Sequence, residues 1–110
     1  MRLRDRYELF IDGRFQPPAA GEHRVSINPA TEEPLAEVAE AGAADVERAV
    51  AAATRAFRSW SRLPGGRRGR YLFRLARLIQ ERQRELAVVE SLDGGKPIRE
   101  SRDVDIPLVA

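Results

Sequence analysis

The sequence contains no cysteine, a single histidine and few aromatic residues, and each shortage excludes a class of function. Without cysteine, the chain has no disulfide framework, no thiolate metal site and no cysteine nucleophile. The lone histidine, His23, forms neither a catalytic triad nor a metal site by itself, and we interpret it as a solvated loop residue. The residues therefore offer no complete catalytic set.

Long apolar runs are also missing. No segment is long enough to span a bilayer, and the charged residues 1–6 are not followed by the apolar core of a signal peptide. The apolar fraction of 43% and the charged fraction of 33% are those of a small globular domain. We therefore predict a soluble, cytoplasmic protein with frayed residues 1–6.

Charge is nearly balanced overall but unevenly distributed. Between Arg55 and Arg84 lie ten arginines and one acid, Glu81, so this segment carries +9; the nine positive and sixteen negative charges elsewhere give −7. Such a basic segment is compatible with binding to nucleic acid or to a membrane surface. We favour a helix that covers acidic parts of the same or a larger molecule, because few aromatic residues are present to stack on bases. We thus predict no nucleic-acid and no membrane partner.

Two pairs of short segments have strand patterns. The residues from Tyr7 to Ile11 and the return strand at residues 14–16 flank Asp12-Gly13, a strong hairpin signal. Val25–Ile27 and the run from Leu35 to Glu40 flank a turn that begins at Asn28-Pro29, since proline fixes φ and keeps the preceding residue extended. The sequence therefore predicts a hairpin followed by a strand pair.

Helical periodicity follows. A first helix over Ala44–Ser59 has an apolar stripe of Val46, Ala49, Val50, Ala53, Ala56, Phe57 and Trp60. A second helix, from Arg67 to Ala87 or beyond, is expected to bury Leu72, Leu75, Ile79 and Leu86 and to pack the first three of them on the first stripe. Gly94-Gly95 ends it, and Pro97 opens a third helix that continues through Ser101 and Val104.

Three motifs resemble the amino-terminal region of the NAD(P)-dependent aldehyde dehydrogenases. The segment Ile27-Asn28-Pro29-Ala30-Thr31, followed by Leu35-Ala36-Glu37-Val38-Ala39, is similar to one family motif. Leu9-Phe10-Ile11-Asp12-Gly13-Arg14-Phe15 resembles the family's opening hairpin, and Glu90-Ser91-Leu92-Asp93-Gly94-Gly95-Lys96-Pro97 its helix-ending signature. The motifs occur in the family's order and at compatible spacing, so the resemblance runs from about residue 7 to the last residue.

The resemblance implies an α/β fold. Residues 1–110 would be the N-terminal part of an aldehyde dehydrogenase cofactor domain, a β-hairpin and a short strand pair followed by about three α-helices. The domain would be incomplete, and we expect the parent chain to continue beyond the apolar, unsealed end Leu108–Ala110.

The resemblance also implies an activity for the full-length protein. Family members oxidise an aldehyde to a carboxylic acid with NAD or NADP through a cysteine thiohemiacetal, and the full-length protein would be a homo-oligomer. Their catalytic and cofactor-binding motifs come later in the chain, so no catalytic or cofactor-binding residue is assigned here. We expect the chain alone to be inactive and to bind no cofactor. The alternatives are an arginine-rich nucleic-acid-binding module and a protein-interaction module.

One family site has matching positions here. Many members hold a structural monovalent cation between the first strand pair and a later aspartate, which correspond to Ser26, Ile27 and Asp105. A hard cation takes oxygen ligands, and a backbone carbonyl and a carboxylate would supply two. Alternatively, Asp103 and Asp105 are solvated or pair with Arg99 and Arg102.

Overall fold

The computed structural model describes residues 3–110, which form short strands followed by helices. The strands are β1 (Arg6–Tyr7), β2 (Leu9–Ile11), β3 (Arg14–Gln16), β4 (His23–Ile27) and β5 (Pro34–Ala39). The helical elements are α1 (Ala43–Trp60), α2 (Gly65–Glu81), α3 (Gln83–Gly94), α4 (Ile98–Glu100), a π-helical turn (Ser101–Asp105) and α5 (Ile106–Val109). The predicted α/β class is confirmed.

The described chain forms two compact units. The first unit comprises residues 3–26 and 36–63, and so holds the hairpin, most of the sheet and α1. The second unit comprises residues 27–35 and 64–110, that is, the turn between β4 and β5 and the helices from α2 onwards.

The hairpin predicted at Asp12-Gly13 is present. β2 and β3 pair in antiparallel register with Phe10 opposite Phe15, and the two rings lie 5.0 Å apart between centroids. Asp12 and Gly13 have φ values of 55° and 79°, both in the left-handed region. A two-residue turn with two positive φ values matches the twist of the flanking strands, which is why Asp-Gly is favoured there.

The second sheet has the strand order β1-β5-β4. β1 runs parallel to β5 with Arg6 opposite Glu37 and Tyr7 opposite Val38, and Arg6 Nε donates to Glu37 Oε2 at 2.7 Å. The prediction that residues 1–6 are frayed is therefore wrong for Arg6, while Met1 and Arg2 lie outside the described residues. The sequence could not reveal this pairing, because the partner strand is some thirty residues away.

The start of α1 is fixed by a buried carboxylate. Asp45, 1% exposed, accepts hydrogen bonds from the amide of Gly42 at 3.1 Å and from the amide of Ala19 at 3.1 and 3.2 Å. The Arg48 guanidinium also donates to it. This bond lowers the pKa of Asp45; burial opposes the shift, and the two amides reinforce it. The carboxylate thereby joins the loop before β4 to the first turn of α1.

Little apolar surface is buried. Ala52, Ala87 and Pro18 are buried, whereas Phe57 is 63% exposed and Leu72 62% exposed. The predicted burial of the stripes on α1 and on the second helix is therefore wrong at these positions. Periodicity reveals that one face of a helix is apolar, but not whether the same chain covers that face. None of the described helices is long and apolar enough to cross a membrane.

The predicted second helix is divided in two. Arg82, with φ −108° and ψ 15°, separates α2 from α3, so a single helix from Arg67 to Ala87 is wrong. Neither glycine nor proline marks this break. Beyond it, Gly95 ends α3 with φ 70°, as predicted, and Pro97 precedes α4. The predicted third helix also continues through Val104, but by way of the π-helical turn.

We predict that Asp45→Asn lowers the melting temperature near neutral pH, because the amide loses the charge-assisted bonds. Since folding lowers the Asp45 pKa below its ordinary value of 3.8, the carboxylate stabilises the fold above that value. This contribution is lost as the pH falls through the lowered pKa. Thermal melts followed by circular dichroism should therefore show a gap between wild type and variant that shrinks in acid. Glu47→Gln on the exposed part of α1 is the control, and equal melting temperatures at neutral pH would contradict the prediction.

Candidate functional site

Two of the three family-like motifs meet inside the second unit. Gly95 is left-handed, and a Cβ atom added to it would lie 2.7 Å from Pro29 Cγ, closer than van der Waals contact permits. Position 95 therefore requires glycine for two reasons: its backbone is left-handed, and a side chain would clash with Pro29. The helix-ending motif thus packs directly on the Asn28-Pro29 turn.

The turn that carries Pro29 is held by its own hydrogen bonds. Asn28 Oδ1 accepts from the Ala30 amide at 2.9 Å, an arrangement typical of asparagine before a turn. The Asn28 amide donates to the Glu33 carbonyl at 2.9 Å, and the Glu32 amide donates to the Asn28 carbonyl at 2.8 Å. These bonds present the proline ring to Gly95 in a fixed position.

Lys96 connects the same motif to the π-helical turn. Its Nζ donates to Asp105 Oδ2 and lies 3.9 Å from Glu90 Oε1. The bond to Asp105 raises the pKa of Lys96, and the negative charges of Asp105, Glu90 and Glu100 act in the same direction. Lys96 therefore forms an ion pair that joins the helix-ending motif to the π-helical turn. Sequence reasoning missed it, although Lys96 follows the glycine pair directly.

The π-helical turn is also tied to α3. Ser91 Oγ donates to Oγ of Ser101, a residue that is 0% exposed, at 3.2 Å. Gln83 Nε2 donates to the Arg102 carbonyl at 2.6 Å. Extra-wide turns of this kind are frequently found at functional positions in helices. Here the two hydrogen bonds hold the π-helical turn against α3.

The predicted cation ligands lie at the ends of elements. Ser26 and Ile27 close β4, and Asp105 closes the π-helical turn, where Lys96 binds it. Asp103 pairs with Arg102 through bonds of 2.5 and 2.7 Å, one of the alternatives foreseen for it, and this pairing lowers the Asp103 pKa. Within residues 3–110, no cluster of three or more histidine or carboxylate side chains could hold a metal ion. The cation site stays a prediction.

His23 is not the solvated loop residue that was predicted. It begins β4, its Nε2 lies 3.1 Å from Glu8 Oε2, and its Nδ1 lies 3.2 Å from the Gly21 carbonyl. Its side chain is mostly buried. Nε2 joins the residue before β2 to β4, whereas Nδ1 contacts the loop that leads into β4, so the histidine has a structural part in the first unit.

Comparison with known proteins places these motifs in a family. The sequence model of the aldehyde dehydrogenase family matches residues 15–110. Aminoacetaldehyde dehydrogenase of Pseudomonas aeruginosa is 52% identical over 101 residues, a match that covers 89% of this chain and 20% of that protein. The crystal structure of PnpE in complex with nicotinamide adenine dinucleotide is 48% identical with a TM-score of 0.88, covering 91% of this chain and 20% of the other.

A second solved structure of an aldehyde dehydrogenase is similarly related to this chain. The NAD-dependent aldehyde dehydrogenase of Sinorhizobium meliloti is 40% identical with a TM-score of 0.88, and the match covers 96% of this chain and 22% of the other. The chain belongs to the aldehyde dehydrogenase family. It spans about a fifth of the length of the curated relatives it matches.

We predict that Gly95→Ala destabilises the chain by about 1–2 kcal/mol from the left-handed backbone alone, with the clash at Pro29 in addition. Gly94→Ala is the matched control, because Gly94 lies within α3 and an added Cβ would meet nothing within 4 Å. That control should be neutral or stabilising by up to about 1 kcal/mol, since alanine favours helix more than glycine does. Urea unfolding of both variants measures the difference, and equal effects at the two positions would refute the requirement for glycine at position 95 against Pro29.

Proposed function

We propose that the chain forms the amino-terminal segment of an aldehyde dehydrogenase domain that oxidises an aldehyde to a carboxylic acid with NAD or NADP. The observation that carries this proposal is the family match over residues 15–110, together with the NAD complex of a relative that is 48% identical. The exposed apolar faces of α1 and α2 add support, because the remaining length of such a protein would cover them.

The described residues do not fit a role in the chemistry itself. The chain has no cysteine, so the nucleophile that forms the thiohemiacetal must lie outside it. The glycine-rich start of α2 lacks the spacing of a dinucleotide loop, so we assign it no cofactor contact. In the whole protein, the nicotinamide would accept the hydride. The contribution of this chain is structural: the Asn28-Pro29 turn and Gly95 fix the second unit, and Asp45 fixes the first.

The nucleic-acid alternative finds limited support on α2. Arg67, Arg70 and Arg74 lie along one face of this helix with Tyr71 between them. A single tyrosine offers one stacking surface, whereas proteins that bind single strands use several. We therefore retain the aldehyde dehydrogenase assignment, with a homo-oligomeric full-length protein and a cytoplasmic location as further predictions.

The proposal predicts that this chain can replace the matching fifth of a relative. In a chimera with P. aeruginosa aminoacetaldehyde dehydrogenase, reduced nicotinamide should form within about tenfold of the parent's rate, a barrier change of about 1.4 kcal/mol. Absorbance of the reduced cofactor measures the rate. The parent without its matching segment is the control and should be inactive, as should the isolated chain. A folded but inactive chimera would contradict the structural role, and turnover by the isolated chain would contradict its inactivity.

We further propose a monovalent cation at Ser26, Ile27 and Asp105, on the strength of the family resemblance. The oxygens fit a hard cation, although Lys96 occupies Oδ2 of Asp105. A bound ion stabilises the folded state by mass action, so potassium should raise the melting temperature of the chimera relative to choline at equal ionic strength. Asp105→Asn should remove this difference and Asp103→Asn should keep it. A melting temperature that is independent of potassium would exclude the site.

A further inference from the structure

A cleft in the first unit is lined by side chains from the hairpin and from α1. It has a volume of about 360 Å³, within the range of roughly 300–1,000 Å³ found for small-molecule sites. The lining residues are Ile11, Asp12, Arg14, Gln16, Arg48, Ala51, Ala52 and Arg55. Guanidinium groups and a small apolar floor of alanines therefore share one concave surface.

The arginines reach this cleft because of simple periodicities. Arg14 and Gln16 are two residues apart on β3, so their side chains lie on the same face of the hairpin. Arg48 and Arg55 are seven residues apart on α1, which is two helical turns, so they also share a face. Two elements thus direct three positive groups toward one space.

Two of the arginines are held in place before any ligand arrives. Arg48 donates to the buried carboxylate of Asp45, and its Nη1 donates to Gln16 Oε1 at 3.2 Å. Arg55 Nη2 donates to Asp12 Oδ2 at 3.2 Å. A guanidinium has five N–H donors, so each group keeps donors that these bonds do not use. For Arg14, no ion-pair partner is found among residues 3–110.

The charged groups of the cleft favour an anion, although two carboxylates reduce its positive charge. The three arginines are opposed by Asp12, which also lines the cleft, and by Asp45, which binds Arg48, so the local balance is one positive charge. Fixed guanidinium groups bind oxyanions well because their planar forks match two oxygen atoms at once. Asp12 is the group that would oppose such a ligand, since it both adds a negative charge and engages Arg55.

We propose that this cleft is a binding site for a small oxyanion, with Arg14 as the principal ligand and Arg48 and Arg55 as fixed supporting donors. The anion would come from a phosphate or a carboxylate group on a small molecule. The inference does not depend on the aldehyde dehydrogenase activity, because it rests on residues 11–16 and 48–55 of the first unit.

The test is calorimetric titration of inorganic phosphate into the 110-residue chain at low ionic strength, with acetate in a parallel titration. Arg14→Gln should weaken binding roughly fivefold or more, because a charge-assisted donor is lost. Asp12→Asn should tighten it by a similar factor, because the opposing carboxylate disappears. The Asn variant keeps the hairpin, since Asn-Gly suits this turn at least as well as Asp-Gly. Circular dichroism checks that each variant retains its helices.

Arg58→Gln, on α1 but outside the lining of the cleft, is the matched control and should leave binding unchanged. Binding of phosphate alone would identify a phosphate site, and equal binding of acetate would identify a general carboxylate and phosphate site. The proposal is wrong if neither anion binds, if Arg58→Gln weakens binding as much as Arg14→Gln, or if Asp12→Asn has no effect on affinity.

Discussion

The carboxylate of Asp45 holds the first unit together at a point where apolar burial contributes little. Few apolar side chains are buried in the described chain, yet this charged group is 1% exposed and accepts bonds from two amides and a guanidinium. A buried charge is tolerated only when its oxygens are satisfied in this way. Because Asp45 also positions Arg48, the same residue that fixes the first turn of α1 orients one wall of the cleft between the hairpin and α1.

In the second unit the corresponding constraint is the close steric contact between Gly95 and Pro29. The motifs that relate this chain to the aldehyde dehydrogenases contain asparagine, proline and glycine, and the structure gives each a physical reason. Asn28 closes its own turn, Pro29 presents a rigid ring, and Gly95 is the residue that can meet this ring with a left-handed backbone. In this chain, these three residues of the family-like motifs are therefore packing requirements.

Local signals in the sequence predicted local structure well. Asp12-Gly13 predicted the hairpin and Gly95 the end of α3, because both depend on φ values that few residues adopt. Features that depend on distant partners were not predictable: the pairing of β1 with β5, the burial of His23 against Glu8, and the bond from Lys96 to Asp105. The break between α2 and α3 at Arg82 is not marked by glycine or proline, so the sequence did not predict it. Periodicity showed that Phe57 lies on an apolar helix face but not whether another part of the chain covers that face. For the predicted cation site, the family resemblance supplied the candidate ligands but did not indicate that Lys96 binds Asp105.

The π-helical turn at Ser101–Asp105 has a consequence for the residues that follow it. The Ile106 amide donates to the Ser101 carbonyl, five positions back instead of four, so the helix accommodates one additional residue without being interrupted. One residue corresponds to a rotation of about 100° around the helix axis. Every side chain after Asp105 is therefore turned by roughly that angle from where an uninterrupted α-helix would direct it. Loss of a single residue in this turn would restore a regular α-helix and leave the following side chains in their present directions, because the additional residue is absorbed within the turn. The same loss from a regular helical turn would rotate everything beyond it by about 100°.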